Sequence, residues 1–199
     1  MWFQETTLSE VSSTGEKERV GWFEAVSADD VEAVKEMLKE SPASVNMVDE
    51  QNGWCALHLA AWNGNTGVVS VLIGHPLTDI NLVSPGGSTA LALAAQQGHT
   101  GVISQLLAAK CDIHRTATLG GCEGVTALHL AAQYGHADAV QLLVDAGAAT
   151  GASLMTTEVR GITPLHLAVQ AEQLDVIDIL IKAGCDINQT TDANVDTQC

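Results

Sequence analysis

One pattern recurs four times in this chain and constrains its fold more than any other feature. In the clearest copy, GVTALHLAAQYGHADAVQLLVDAGA from Gly124 to Ala148, two short helical patterns flank Gly135-His136. Leu128, Ala131 and Ala132 share one face of the first, and Val140, Leu143 and Val144 share one face of the second. Neither pattern reaches the ~12–15 residues at which an isolated helix becomes even marginal in water. Each must bury its apolar stripe against neighbours, and repetition supplies them. The other copies open at Gly53, Gly87 and Gly161, so the four glycines stand 34, 37 and 37 residues apart. The interior grows along a stack of thin layers rather than inward. Composition agrees: 46% of residues are hydrophobic but only 4% aromatic, leaving alanine, leucine, valine and glycine to fill it.

Thr163-Pro164-Leu165-His166-Leu167-Ala168 fits, letter for letter, the T-P-L-H-x-A signature of an ankyrin unit. From about Val20 to Asn188 the chain resembles the ankyrin repeat family, with four matching units in register. The resemblance implies an all-α repeat solenoid of five stacked helix-turn-helix repeats joined by β-hairpin fingers. A flexible acidic N-terminal tail is expected at residues 1–17, a repeat domain at 18–188 and a polar C-terminal tail at 189–199. Within the domain a degenerate capping repeat spans 20–51, and full repeats span 52–85, 86–121, 122–159 and 160–188. The degenerate unit keeps Ala25, Val26, Val34, Met37 and Leu38 where the family buries side chains. Its outer side carries Asp29, Asp30, Glu32, Glu36 and Lys39, the polar face that a terminal repeat requires.

Local signals divide the full repeats further. Thr89, Thr126 and Thr163 are placed to cap the first helices, and Pro164 takes the favoured first helical position. Cys55 replaces the threonine in the first full repeat, which predicts a start weaker by up to about 1 kcal/mol. Gly64, Gly98 and Gly135 end the first helices, where a left-handed residue is needed; Glu172 stands there in the last repeat and puts its turn in question. Leu174 to Gly184 reads as the second helix of an interior repeat, so that end expects a partner's contact or a continuation of the chain. The connections Arg115 to Glu123 and Ala152 to Arg160 are four residues longer than the first, and length in adjacent loops points to use.

Catalysis finds no support in the sequence. His58, His129 and His166 occupy the histidine of the signature, and the resemblance implies a structural bridge to backbone; Ala92 replaces it in one repeat. His99 and His136 belong to the Gly-His turn. Cys111, His114 and Cys122 form the only metal-like cluster and lack a fourth ligand. No phosphate-cradling, dinucleotide or nucleophile-elbow pattern is present. The expectation is a protein that is not an enzyme and takes no cofactor or metal.

Binding is a different matter. The resemblance implies that residues just before the inter-helix turn line a concave face: Trp62-Asn63, Gln96-Gln97, Gln133-Tyr134 and Gln170. Trp54 and Ile162 follow opening glycines in the fingers, and Leu154 with Met155 are expected as exposed apolar groups at a long finger's tip. Tryptophan and tyrosine at exposed positions are the material of hot spots. Net charge is −16, and residues 1–51 hold 12 acids against 4 bases. No lysine or arginine lies between Lys39 and Lys110. Such a surface disfavours nucleic acid and anionic lipid and favours the basic face of another protein. An odd count of 5 cysteines, no signal segment and no membrane-length apolar run place the chain in the cytoplasm or nucleus without membrane insertion. The function expected is protein–protein interaction, as adaptor or stoichiometric regulator. The alternative is the recognition domain of a larger multidomain protein (enzyme, channel or effector) of which this chain is a segment.

Overall fold

The computed structural model describes residues 19–119, 122–155 and 160–191, with Leu119, Met155 and Arg160 described by backbone alone. The tail expected at 1–17 and most of that at 189–199 lie outside the described residues. Helices come in pairs. First are α1 (residues 19–27) and α2 (Val31–Glu40), followed by a 3-10 turn at Pro42–Asn46. Then come α3 (Ala56–Asn63) with α4 (Thr66–Gly74), and α5 (Ala90–Gln97) with α6 (Thr100–Ala108). After them follow α7 (Ala127–Gln133) with α8 (Ala137–Asp145), and α9 (Pro164–Gln170) with α10 (Leu174–Lys182).

The predicted starts hold. Thr89, Thr126 and Thr163 accept from the backbone N–H of Ala92, His129 and His166, three residues on. Cys55 is not a bare start either: its N–H donates to His58 Nδ1 at 3.3 Å, and its sulfur lies 3.1 Å from the same nitrogen. In the first repeat the acids are more than a solvated face. Asp30 caps α2 by accepting from Ala33 N–H at 3.0 Å. Asp29 reaches across to the next repeat and accepts from Val68 N–H at 2.9 Å, in the first turn of α4.

First helices stack on first helices, and second helices on second helices. Ala60, Ala61, Ala94, Ala95, Ala131 and Ala132 are fully buried between the first helices, so those backbones approach closely. Val68, Val69, Leu72, Ile103, Leu106, Leu143 and Leu180 fill the space between the two layers. Each such leucine contributes about 1.5–3 kcal/mol of burial that no isolated repeat provides. Neighbouring first helices pack more closely than neighbouring second helices do.

The long connections do more than project. β1 (Ala117–Leu119) and β2 (Cys122–Val125) form one hairpin, β3 (Leu154–Met155) and β4 (Arg160–Ile162) the next, all antiparallel. The two hairpins also pair with each other, Glu123 opposite Met155, into one sheet of order β1-β2-β3-β4. Beneath it lies a second apolar cluster of Ala117, Cys122, Val125, Leu154 and Ile162 against Ala92, Leu130 and Leu167 of the first helices. Two expectations are corrected here. Leu154, read from sequence as an exposed group at a finger tip, is only 2% exposed, and Ile162, read as a finger residue for partner contact, only 3%. They are opposite each other in the β3–β4 pair, and pairing turns both toward the helices. The side chain of Met155 and the tip at 156–159 lie outside the described residues.

Between the two helices of a repeat the backbone must pass through the left-handed region. Gly98 does so at φ 73°, and a Cβ there would stand 2.5 Å from the His136 ring of the following repeat. Glu172 makes the same turn at φ 56°, so the turn forms despite the missing glycine, and its exposed side chain meets no repeat packed over it among the described residues. A left-handed residue with a Cβ costs roughly 1–2 kcal/mol. Glu172→Gly therefore raises stability by up to about 1 kcal/mol, after the entropic cost of glycine is deducted. Gly98→Ala lowers it by at least ~1 kcal/mol, because strain and the His136 clash add. Urea unfolding midpoints of the two variants check the opposite signs.

Candidate functional site

The ends of the first helices line up because the helices are in register. Trp62 and Asn63 end α3, Gln96 and Gln97 end α5, Gln133 and Tyr134 end α7, and Gln170 ends α9. Two row members are anchored through their carbonyls by the repeat that follows. His99 Nε2–H donates to the Trp62 carbonyl at 2.9 Å, and His136 Nε2–H to the Gln96 carbonyl at 2.9 Å. One repeat earlier, Asn65 donates to the Val26 carbonyl. The turn histidines thus have the structural role expected of them, and that role fixes the row.

Asn63, Tyr134 and Gln170 are exposed, and Gln96, Gln97 and Gln133 are half-buried. Tyr134 is 50% exposed, and its hydroxyl accepts from Gln96 Nε2 at 3.2 Å, joining two repeats across the face. Trp54 and Trp62 are both half-buried, with ring centroids 5.5 Å apart and planes tilted by 53°. Tilted rings at that spacing favour each other by about 0.5–1.5 kcal/mol beyond burial. Trp54 is set by its turn: Asp49 Oδ1 accepts from the Trp54 N–H at 3.2 Å and from the Asn52 N–H at 2.7 Å.

The tryptophan pair forms one wall of a groove of about 990 Å³. Val20, Phe23 and Glu24 of α1 and Leu59 of α3 also line it. These α1 residues were missed from sequence because that unit lacks the repeat signature. A signal was there: Val20 and Phe23 are large apolar groups beyond the buried set of Trp22, Ala25 and Val26. Leu154 and Ile162, by contrast, lie under the sheet and leave the candidate set.

The signature histidines are tethers. His129 Nδ1 accepts from the Thr126 N–H at 3.2 Å, and its Nε2–H donates to the Ile162 carbonyl of the next repeat's strand at 3.2 Å. His58 does the same toward the Leu82 and Ser88 carbonyls, at 3.0 and 3.1 Å. Burial holds both imidazoles neutral, and His129 is pushed down to about 4. Burial also raises the Cys55 thiol above its ordinary value, so the Cys55–His58 contact caps a helix and does not generate a thiolate. Among the described residues no group of three or more His, Cys, Asp or Glu side chains is placed to hold a metal ion, and no helix is long and apolar enough to cross a membrane.

Stacked helix pairs, inter-repeat histidine tethers and hairpin fingers define a repeat protein whose open face is available for contact. A family model for ankyrin repeats, in three copies, matches residues 22–117 and 104–191, and the chain belongs to the ankyrin repeat family. Ankyrin repeats are in general protein–protein interaction modules. Among curated proteins none matches the chain.

Neutral His129 is a requirement of the fold, whereas in the unfolded chain its ring gains a proton near pH 6.5. The contribution is complete above that pH and is lost as pH falls toward about 4. At pH 5 the loss amounts to as much as ~2 kcal/mol relative to pH 7. Urea midpoints at the two values read it, and His129→Gln narrows the difference.

Proposed function

We propose that this chain is an adaptor or stoichiometric regulator that binds another protein on its first-helix face. The observation carrying the proposal is Tyr134, half in solvent at the middle of an uncharged row and bonded to Gln96 of the preceding repeat. An aromatic ring held at a fixed position on packed helices loses little freedom on binding and offers a large contact area. Asn63, Gln97, Gln133 and Gln170 around it supply hydrogen-bonding groups without a charge to desolvate. The net charge of −16 favours a partner with a basic face and speeds its approach. Neither catalysis nor a cofactor enters the proposal. A cytoplasmic or nuclear setting belongs to it, on the odd count of 5 cysteines without framework spacing.

A second reading, that of a recognition domain within a larger protein, is favoured by the last repeat. Val169, Leu174, Ile181 and Ile187 are 56%, 75%, 49% and 64% exposed, whereas Ala61, Ala95 and Ala132, the equivalents of Val169, are fully buried and Ile73, Leu107 and Val144, the equivalents of Ile181, are half-buried. That face has the character of an interior layer and suits a further repeat or a partner's apolar surface.

Two variants separate the readings. Trp62→Ala with Tyr134→Ala leaves the chain cooperatively folded, with stability lowered by about 1–2 kcal/mol through loss of the ring pair, and weakens capture of partners from cell lysate by at least ~30-fold. Leu174→Glu with Ile181→Glu leaves that capture intact. The reverse pattern moves the interface to the C-terminal face, and outright unfolding of the first variant shows its rings to be core.

A further inference from the structure

The groove beside the tryptophan pair differs from the rest of the first-helix face in carrying charge. Glu24 on α1 and Asp49 and Glu50 on the turn before α3 stand around it. Its one cation among the described residues is Arg19, also from α1. The Arg19 guanidinium donates to Glu50 across the groove, so that α1 and the turn are joined by a guanidinium–carboxylate pair. The chain therefore already seats one arginine here. Glu24 is exposed, and Glu50 remains largely open to solvent, with 74% of its side chain accessible.

The chemistry of the walls matches the same ligand group. Trp54 and Trp62 present tilted ring faces at 5.5 Å, and tryptophan is the aromatic ring that attracts a guanidinium best. Val20, Phe23 and Leu59 offer apolar surface for the methylene stem that an arginine carries behind its charge. From residue 40 to residue 109 the chain has no lysine or arginine, so nothing in α3 to α6 opposes a second cation.

We propose that this groove is a subsite for an arginine side chain on a basic segment of a partner protein. The guanidinium lies against Trp54 and Trp62 and pairs with Glu24 and with the Glu50 carboxylate that Arg19 now holds. This deepens the reading of the first-helix face as an interface and rests on it. Arg19 acts as a built-in competitor: it closes the acidic side of the groove until an incoming arginine displaces it. The chain's own N-terminal residues are the less suitable occupant, because residues 1–18 carry 4 acids against a single lysine.

The test uses the full chain and a fluorescein-labelled peptide of alternating arginine and glycine, with a citrulline version as the neutral control of equal shape. Anisotropy reports affinity and tryptophan emission reports contact. The arginine peptide is expected to bind and change tryptophan emission, and the citrulline peptide to do neither. Trp54→Ala with Trp62→Ala is expected to weaken binding about tenfold. Arg19→Gln is expected to tighten it by up to about fivefold, since it frees Glu50 without removing a groove wall. Glu24→Gln is expected to weaken it. Tyr134→Ala, outside the groove, leaves it unchanged.

Equal binding by wild type and the tryptophan variant overturns the subsite, since attraction to net charge alone would then account for affinity. No gain on Arg19→Gln also overturns it. A gain of about fivefold or more on deleting residues 1–17 reassigns the groove to the chain's own N-terminal segment. Self-association abolished by Trp54→Ala reassigns it to a second copy. In lysate, a partner lost with Tyr134→Ala but kept by Trp54→Ala removes the subsite and spares the wider reading, whereas a partner kept by both removes the two together.

Discussion

No repeat in this chain can bury its own apolar stripe, and everything else in the structure follows from how neighbours lock together. The lock is a side chain leaving the inter-helix turn and reaching back one repeat. Asn65, His99 and His136 each donate to a carbonyl of the preceding repeat, and the His99 and His136 rings rest over Gly64 and Gly98. A hydrogen bond made in a partly buried place adds only about 1 kcal/mol, but it has one geometry. Hydrophobic contact between alanine faces would tolerate sliding; a ring over a glycine and aimed at one carbonyl does not. Because those carbonyls belong to Trp62 and Gln96, stacking and the alignment of the open face are one event.

The signature histidines lock the other edge. His58 and His129 each use one ring nitrogen within their own helix start and the other on the next repeat's connection. Where Ala92 replaces the histidine, that tether is gone and the methyl joins the apolar cluster beneath the sheet instead. The strands compensate by pairing with one another. Two fingers that would each be a marginal two-stranded ribbon become one sheet with a covered face. Rigidity at this edge comes from pairing and burial, not from loop shortness.

The ends of the stack are handled in opposite ways. At the N-terminal end acids cap helices, with Asp30 serving its own helix and Asp29 the next repeat's, while α1 leaves a charged, aromatic-walled groove against α3. At the C-terminal end Leu174 and Ile187 stand in solvent, with no polar layer over them among the described residues. The polar, uncharged row lies between. A molecule arranged this way presents three chemically distinct surfaces on one rigid body.

The sequence by itself determined that the chain is a stack of short helix pairs. A period of 34 to 37 residues, helices too short to stand alone and a threonine before three of the first helices leave few alternatives to a stack, and the positions of Thr89, Thr126, Thr163, Gly64, Gly98 and Gly135 are local requirements readable one residue at a time. It also placed the row of Trp62, Gln96, Gln97, Gln133 and Tyr134, because register follows from repetition. Only the tertiary structure decided what the fingers do. Leu154 looks like an exposed tip in sequence, and Ile162 like a finger contact, because their mutual pairing and the helices beneath the sheet leave no local signal. The groove was hidden for the same reason: α1 belongs to a unit without the signature, and its Val20 and Phe23 meet Trp54 and Trp62 only once two repeats have docked. Local sequence specifies backbone geometry and capping, whereas which exposed side chains from distant segments share a surface is fixed by packing alone.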